Sequence, residues 1–268
     1  MIQKNNATFV VNKIDLKITF LGTGTSQGIP VIGSEHPVCL SSNPKDKRLR
    51  VSILVEWDDY TFVVDCGPDF RQQMLTANVD KIDGIIFTHE HADHTAGLDD
   101  IRPFYFKQGD IPIYAHERVI KALHRRFDYI FETQNKYAGV PSVHCFEIEN
   151  KPFTLGNLDI IPINGWHHRL QVFGFRFGDF AYLTDFKTIE DLEIEKLKDV
   201  KILVLNALRE KEHISHFTLS EALELIKIVN PEQGYLTHIS HWLGFHDAVQ
   251  QNLPENVFLA YDTLQITL

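Results

Sequence analysis

Thr88-His89-Glu90-His91-Ala92-Asp93-His94 places three imidazoles and an aspartate carboxylate within residues 89–94. All four side chains are good ligands for a borderline divalent metal. Residues one or two apart do not share a helical face, so the spacing suits a loop. The apolar run Gly84-Ile85-Ile86-Phe87 before it reads as the strand that delivers the loop, and Thr95-Ala96-Gly97-Leu98 as the start of a helix. Four ligands from one loop exceed what one metal takes while keeping open positions for water. Two adjacent metals are the natural reading.

Ligand types recur just past other strand-like runs. Trp166-His167-His168 follows Ile160-Ile161-Pro162-Ile163, Asp185 follows Ala181-Tyr182-Leu183-Thr184, and His238 follows Gly234-Tyr235-Leu236-Thr237. Short apolar runs bounded by turn residues predict strands at 17–21, 51–56, 60–65, 84–88, 111–114, 158–163, 172–177, 180–184, 201–206, 234–237, 257–260 and 264–268. Helical periodicity marks 69–77, 95–101, 117–127, 188–196, 218–229 and 245–252. Asp58-Asp59 reads as a hairpin turn, and Pro231 ends the helix before it. No repeat or linker divides the chain, so one two-sheet domain over 1–268, covered by helices, is expected. The irregular stretch 128–150, with Tyr129, Phe131, Tyr137 and Phe146 around Gly139-Val140-Pro141, reads either as a lid or as a packed surface loop.

Composition narrows the partners. A formal charge of −10 over 268 residues argues against a nucleic acid held by a broad basic surface. Small anionic substrates remain compatible, because bound metals supply local positive charge. Three scattered cysteines make no disulfide framework. No apolar run approaches the roughly 20 residues of a membrane span, and Lys4-Asn5-Asn6 has no apolar signal core behind it. A cytoplasmic protein without a membrane partner is expected, with monomer and homodimer both open.

With these ligands assembled, the chain resembles the metallo-β-lactamase superfamily over residues 17–268. The resemblance implies a four-layered αββα fold in the α/β class, with a di-metal site between two sheets. It assigns His89, His91 and His167 to one metal and Asp93, His94 and His238 to the other, with Asp185 bridging. His167 is preferred over His168 because His167-x-Arg169-Leu170 follows the family's His-x-Lys-Leu pattern. His91 in the second motif position resembles the hydrolase branch. Mixed imidazole and carboxylate ligation accepts Zn, Mn or Fe.

Within the superfamily the chain is most similar to the phosphodiesterases of phosphonate degradation and, more distantly, to transfer-RNA 3′-processing enzymes. Phe20-Leu21-Gly22-Thr23-Gly24-Thr25-Ser26-Gln27-Gly28-Ile29-Pro30 matches their N-terminal signature; read alone it is a tight turn, without the helix a dinucleotide fingerprint needs. His216, in His216-Phe217-Thr218-Leu219, matches the family's histidine that stands near the metals without binding them. The resemblance implies catalysis by His216 and the ligand Asp93: a bridging hydroxide attacks a small phosphodiester, cyclic or open, while His216 protonates the leaving oxygen. Arg102, after Asp99-Asp100, either orients a phosphate or forms a salt bridge. Rival readings are a thioesterase or lactonase, and a cofactor-biosynthesis protein resembling the pyrroloquinoline quinone pathway member. Relatives also carry a Cys-x-Cys-x2-Cys motif that binds a structural zinc with a late histidine. Here that register reads Ser34-Glu35-His36-Pro37-Val38-Cys39, leaving His36, Cys39 and His241 as candidate ligands of a third, structural zinc, against a metal-free loop.

Overall fold

Alternation with period two decides which way each strand faces. In the computed structural model, which describes residues 14–134 and 136–268, β1 (Lys17–Gly22) sends Ile18 and Phe20 into one core and Leu21 into another. The same division runs through β2 (Ser52–Trp57), β3 (Tyr60–Val64) and β4 (Gly84–Ile86): Ile53, Val55, Phe62, Val64 and Ile86 join the first core, and Leu54, Val63 and Ile85 the second. With β5 (Ile111–Ala115) and β6 (Val143–Glu147) these strands make one sheet, ordered β15-β1-β2-β3-β4-β5-β6, whose first member is the C-terminal β15 (Gln265–Thr267).

The second sheet takes the middle and late chain: β7 (Phe153–Leu155), β8 (Leu158–His167), β9 (Leu170–Phe177), β10 (Phe180–Leu183), β11 (Thr188–Ile189), β12 (Ile202–Asn206), β13 (Gln233–Thr237) and β14 (Val257–Leu259). Its order is β11-β8-β9-β10-β12-β13-β14, with β7 paired to β8. Phe173, Phe175, Phe177, Phe180, Tyr182 and Val204 meet the first sheet's inward residues in a shared core. Ala181, Leu183, Leu203, Leu205 and Leu236 face the other way, against Ala222, Leu225 and Ile226 of the helix Leu219–Val229. On the far side of the first sheet, Phe70 and Met74 of the helix Phe70–Ala77, and Val119 and Leu123 of the helix Glu117–Arg126, complete the second core. Helix, sheet, sheet, helix is the layer order.

Parallel neighbours put strand ends on one rim. β3, β4, β5 and β6 run parallel, as do β10, β12, β13 and β14. The loops leaving β3, β4, β10, β12 and β13, with the last residue of β8, share that rim, and they carry the polar residues described below.

Several sequence expectations need correction. No strand is expected at β6, β7 or β11, and the helix expected at 188–196 is instead β11, a short helix Asp191–Ile194 and a turn at Glu195–Leu197. The helix expected at 95–101 is instead three pieces, the turn Ala92–Thr95, a tight turn Leu98–Ile101 and a helix Arg102–Gln108, with Pro103 in the last one's first turn, where a missing N–H costs nothing. Residues 128–134 and 136–150 are anchored: Ile130 and Val140 are buried, and the Tyr129 hydroxyl donates to Asp99 Oδ1 at 2.8 Å. Lys4-Asn5-Asn6 lies outside the described residues. No helix among the described residues is long and apolar enough to cross a membrane.

Candidate metal centre

The loop after β4 runs His89–His91, then a single helical turn Ala92–Thr95 that turns Asp93 and His94 inward. His89 and His94 are fully buried, with ring centroids 4.1 Å apart. The Thr88 hydroxyl donates to Asp65 Oδ2 at 2.8 Å and stands 3.0 Å from His89 Nδ1, which leaves His89 Nε2 facing His91 Nδ1 at 3.0 Å. His167, the last residue of β8, donates from Nδ1 to the Ser215 carbonyl at 2.7 Å. Its ring lies 5.8 Å from His89 and 5.1 Å from His91. His168 is exposed on the turn into β9.

Asp185 sits between these imidazoles and a second set. Its Oδ2 is 3.2 Å from His94 Nε2 and its Oδ1 is 3.3 Å from His238 Nε2. Asp93 Oδ2 is 3.4 Å from His94 Nε2 and 3.8 Å from His238 Nε2. Ligand atoms of Asp93, His94, Asp185 and His238 all lie within 4.8 Å of one another, and so do those of His167, Asp185 and His216. The structure therefore brings Asp93, His94, Asp185 and His238 into one group of donor atoms and His167, Asp185 and His216 into another, with the rings of His89 and His91 beside them but in neither group. Asp185 lies just past β10 and His238 directly after β13, both in left-handed backbone, φ 63° and 53°. That costs a side-chain-bearing residue about 1–3 kcal/mol and persists only when the surroundings over-determine it.

Charge in this cluster is unbalanced. Burial opposes protonation of His94, yet Asp185, Asp93 and Asp65 outweigh it and hold its pKa well above the usual imidazole range. Asp185 is buried as well, but His238 and His94 keep it ionised, far below the usual carboxylate range. His94 Nε2, His216 Nδ1 and both His238 ring nitrogens are buried without a hydrogen-bond partner. Buried polar atoms are rarely left so. Unpartnered imidazole nitrogens aimed at two carboxylates fit divalent cations, and the donor set is one that such cations prefer.

Asp65 is the residue that sequence reading missed. It directly follows β3, in left-handed backbone, φ 68°, and is fully buried. It accepts from Thr88 N at 2.9 Å and from His94 Nδ1 at 2.7 Å. Holding the far nitrogen of a ligating imidazole fixes its tautomer and aims the other nitrogen.

Burial pushes the His216 imidazole down to about 2, only partly offset by Asp185, with His238 and His167 adding to the depression. The candidates for the third zinc stand apart from this cluster. His36 and His241 do meet, with centroids 4.9 Å apart. The Cys39 thiol, however, accepts from Val31 N at 3.5 Å, and His36 Nδ1 accepts from Val38 N at 3.3 Å. Among the described residues the converging groups are the two at Asp185, and His36, Cys39 and His241 form neither. Ring contact is what joins His36 to His241 at this corner. Arg102 is likewise a structural residue: it chelates Asp99 at 2.6 and 3.0 Å and binds the Gly139 carbonyl.

The family model described as the β-lactamase superfamily domain matches residues 60–239. The chain belongs to this superfamily. It superposes on the crystal structure of a diphosphatase from the PhnP family with a TM-score of 0.89, at 38% identity, covering 95% of this chain and 97% of that one. A protein of Porphyromonas gingivalis named octanoyltransferase is 37% identical over 253 residues, 93% of this chain, which spans about half (51%) of that relative's length. A ribonuclease Z of Methanococcus maripaludis is 32% identical over 113 residues, 40% of this chain and 32% of the relative. The fold and the His/Asp cluster are those on which the metal-dependent hydrolases of this superfamily are built.

Proposed function

We propose that this chain is a two-metal phosphodiesterase acting on a small anionic phosphodiester. The observation that carries the reading is the sharing of Asp185 by two converging donor groups, with the extra imidazole of His216 at 3.7 Å from its carboxylate. The full-length likeness to a PhnP-family diphosphatase supports phosphorus as the target. The formal charge of −10 and the short match to ribonuclease Z favour a small substrate over RNA.

His89, His91 and His167 would hold one metal, Asp93, His94 and His238 the other, and Asp185 both. Such a pair supplies an activated water and charge to neutralise the non-bridging oxygens. The chain's own residues do the rest. Asp65 and Ser215 fix the imidazoles of His94 and His167. Neutral His216 gains a proton only when an anion enters beside it, because added negative charge favours the imidazolium. That proton, at its ring nitrogen, is then available to the departing alkoxide. Mixed N/O ligation suits Zn, Mn or Fe.

A second reading is hydrolysis of a carbon ester or thioester, which the likeness to a protein named octanoyltransferase favours. Purified protein loaded with Mn or with Zn separates the two, given a cyclic phosphate, a chromogenic phosphodiester, its monoester, a thioester and a lactone. The phosphodiesters are expected to have the highest kcat/KM. Turnover confined to the thioester or lactone transfers the assignment to the second reading.

A further inference from the structure

The ring of His238 is held differently from its neighbours. Asp65 holds the far nitrogen of His94 and the Ser215 carbonyl that of His167, but Nδ1 of His238 is buried without a hydrogen-bond partner. No hydrogen bond aims this imidazole, so its direction is set by the backbone that carries it. That backbone is gripped from both sides. On one side Ala207 N donates to the Thr237 carbonyl at 2.9 Å and Ser240 N to the Leu208 carbonyl at 3.1 Å. On the other, Ile239 N donates to the Thr23 carbonyl at 2.9 Å and Thr25 N to the Ile239 carbonyl at 3.0 Å.

The second grip belongs to the glycine-rich stretch after β1, which the metal cluster leaves without a role. Gly24 bridges Arg50 on one flank and Ile239 on the other, joining the chain that enters β2 to the loop after β13. A Cβ at Gly22 would lie 2.0 Å from the Arg50 carbonyl oxygen, so glycine is what lets the stretch come this close. Thr23 is fastened in turn. Its buried hydroxyl donates to Asp262 Oδ1 at 2.7 Å and accepts from Arg48 Nη1 at 2.7 Å. Arg48, buried as well, donates also to the Ala260 carbonyl at 2.6 Å and to His246 Nδ1 at 3.1 Å. Asp262 Oδ2 accepts from Leu49 N at 2.7 Å. Where a buried guanidinium and a carboxylate share one hydroxyl, its removal leaves both short of a partner.

Resting on the two-metal reading, we propose that Thr23 is the positioning residue for His238. Its hydroxyl, fixed between Arg48 and Asp262, anchors the contact with Ile239 and so aims the neighbouring imidazole at the metal it shares with Asp93 and His94. The glycine-rich stretch then serves one of the two metals and not the other, since His89 and His167 are paired with Thr88 and Ser215 instead.

Cobalt(II) titration of the metal-free protein, followed by calorimetry and visible absorption, tests this. Thr23→Val keeps the shape of the side chain and removes the hydroxyl. It should weaken one binding step about 10- to 100-fold, the usual cost of losing an outer support of a ligand, and leave the other step unchanged. His238→Ala should abolish the step that Thr23→Val weakens, which identifies it. Thr23→Ser restores the hydroxyl and should bind both ions as the wild type does. If Thr23→Val does not fold, Thr23→Ala, which adds no bulk, is titrated in its place. A second readout needs no metal: the ring-proton NMR signals of His238 should shift in the variant while those of His89 and His91 stay. No weakening of either step, equal weakening of both, a loss in Thr23→Ser as large as in Thr23→Val, or an unmoved His238 signal would overturn the proposal. If the wild type takes up a single ion, the two-metal reading fails separately, and the His238 signals alone decide for or against the role of Thr23.

Discussion

At the scale of single residues, Asp65 governs the donor cluster through His94, whose far ring nitrogen its buried carboxylate holds at 2.7 Å. A histidine or aspartate just past an apolar run is visible in the sequence, and seven such residues reinforce one another. Asp65 has the same signature, an acid after Tyr60–Val64 and before Cys66-Gly67. Its role appears only when parallel pairing of Val64 with Ile86 sets it beside Thr88 and His94. Asp65→Asn keeps the shape but removes the charge that fixes the His94 proton. It should lower metal affinity or kcat/KM about 10- to 100-fold, read by metal titration and by kinetics on the best phosphodiester. His216 calls for a different experiment. His216→Ala should leave metal content intact and cut turnover of an alkyl phosphodiester by about 10²–10⁴-fold. A nitrophenyl ester, whose leaving group needs no proton, should lose far less. Equal losses would make His216 a substrate-positioning residue.

At the scale of elements, strands with a continuous apolar run were legible to within a few residues, and edge or two-residue strands were not. β6 is an edge strand with exposed His144 and Phe146, so no alternation marks it, and the pairing of β11 with β8 through Thr188 and Ile189 is too short for any periodic signal. Also invisible was how closely the metal loop presses on the end of β3. Gly97 N donates to the Cys66 carbonyl at 2.9 Å, and a Cβ on Gly97 would lie 2.0 Å from the Gly67 carbonyl oxygen and 2.8 Å from Phe70 Cβ. The contacts are with backbone and a helix base, so neither gives way cheaply. Gly97→Ala should therefore cost about 1–3 kcal/mol in denaturant unfolding. Because the displaced segment carries Asp93 and His94, it should also reduce bound metal below two equivalents by elemental analysis. Unchanged metal content with lowered stability would mean that the loop moves as a unit.

At the scale of the whole molecule, the site is a junction between the sheets. His89, His91, Asp93 and His94 leave β4 of the first, while His167, Asp185 and His238 come from β8, β10 and β13 of the second. The sheets also share a core in which Ile18, Phe20, Ile53 and Val55 meet Phe173, Phe175, Phe177 and Tyr182. The alternation that builds this core could be read in the sequence, but the closing of the first sheet by β15 could not, since Gln265–Thr267 pairs with Lys17–Thr19 across nearly the whole chain. We propose that the two sheets fold as one cooperative unit and that metal binding bolts them together. Unfolding followed by far-ultraviolet circular dichroism and by tryptophan fluorescence should then give coincident transitions. Metal that binds only the assembled site stabilises it by about 4 kcal/mol at free metal near 1,000 times Kd. Chelation should accordingly lower the melting temperature by several degrees while keeping one transition. Two separate transitions after chelation would show that the shared core alone does not couple the sheets and that the metals do.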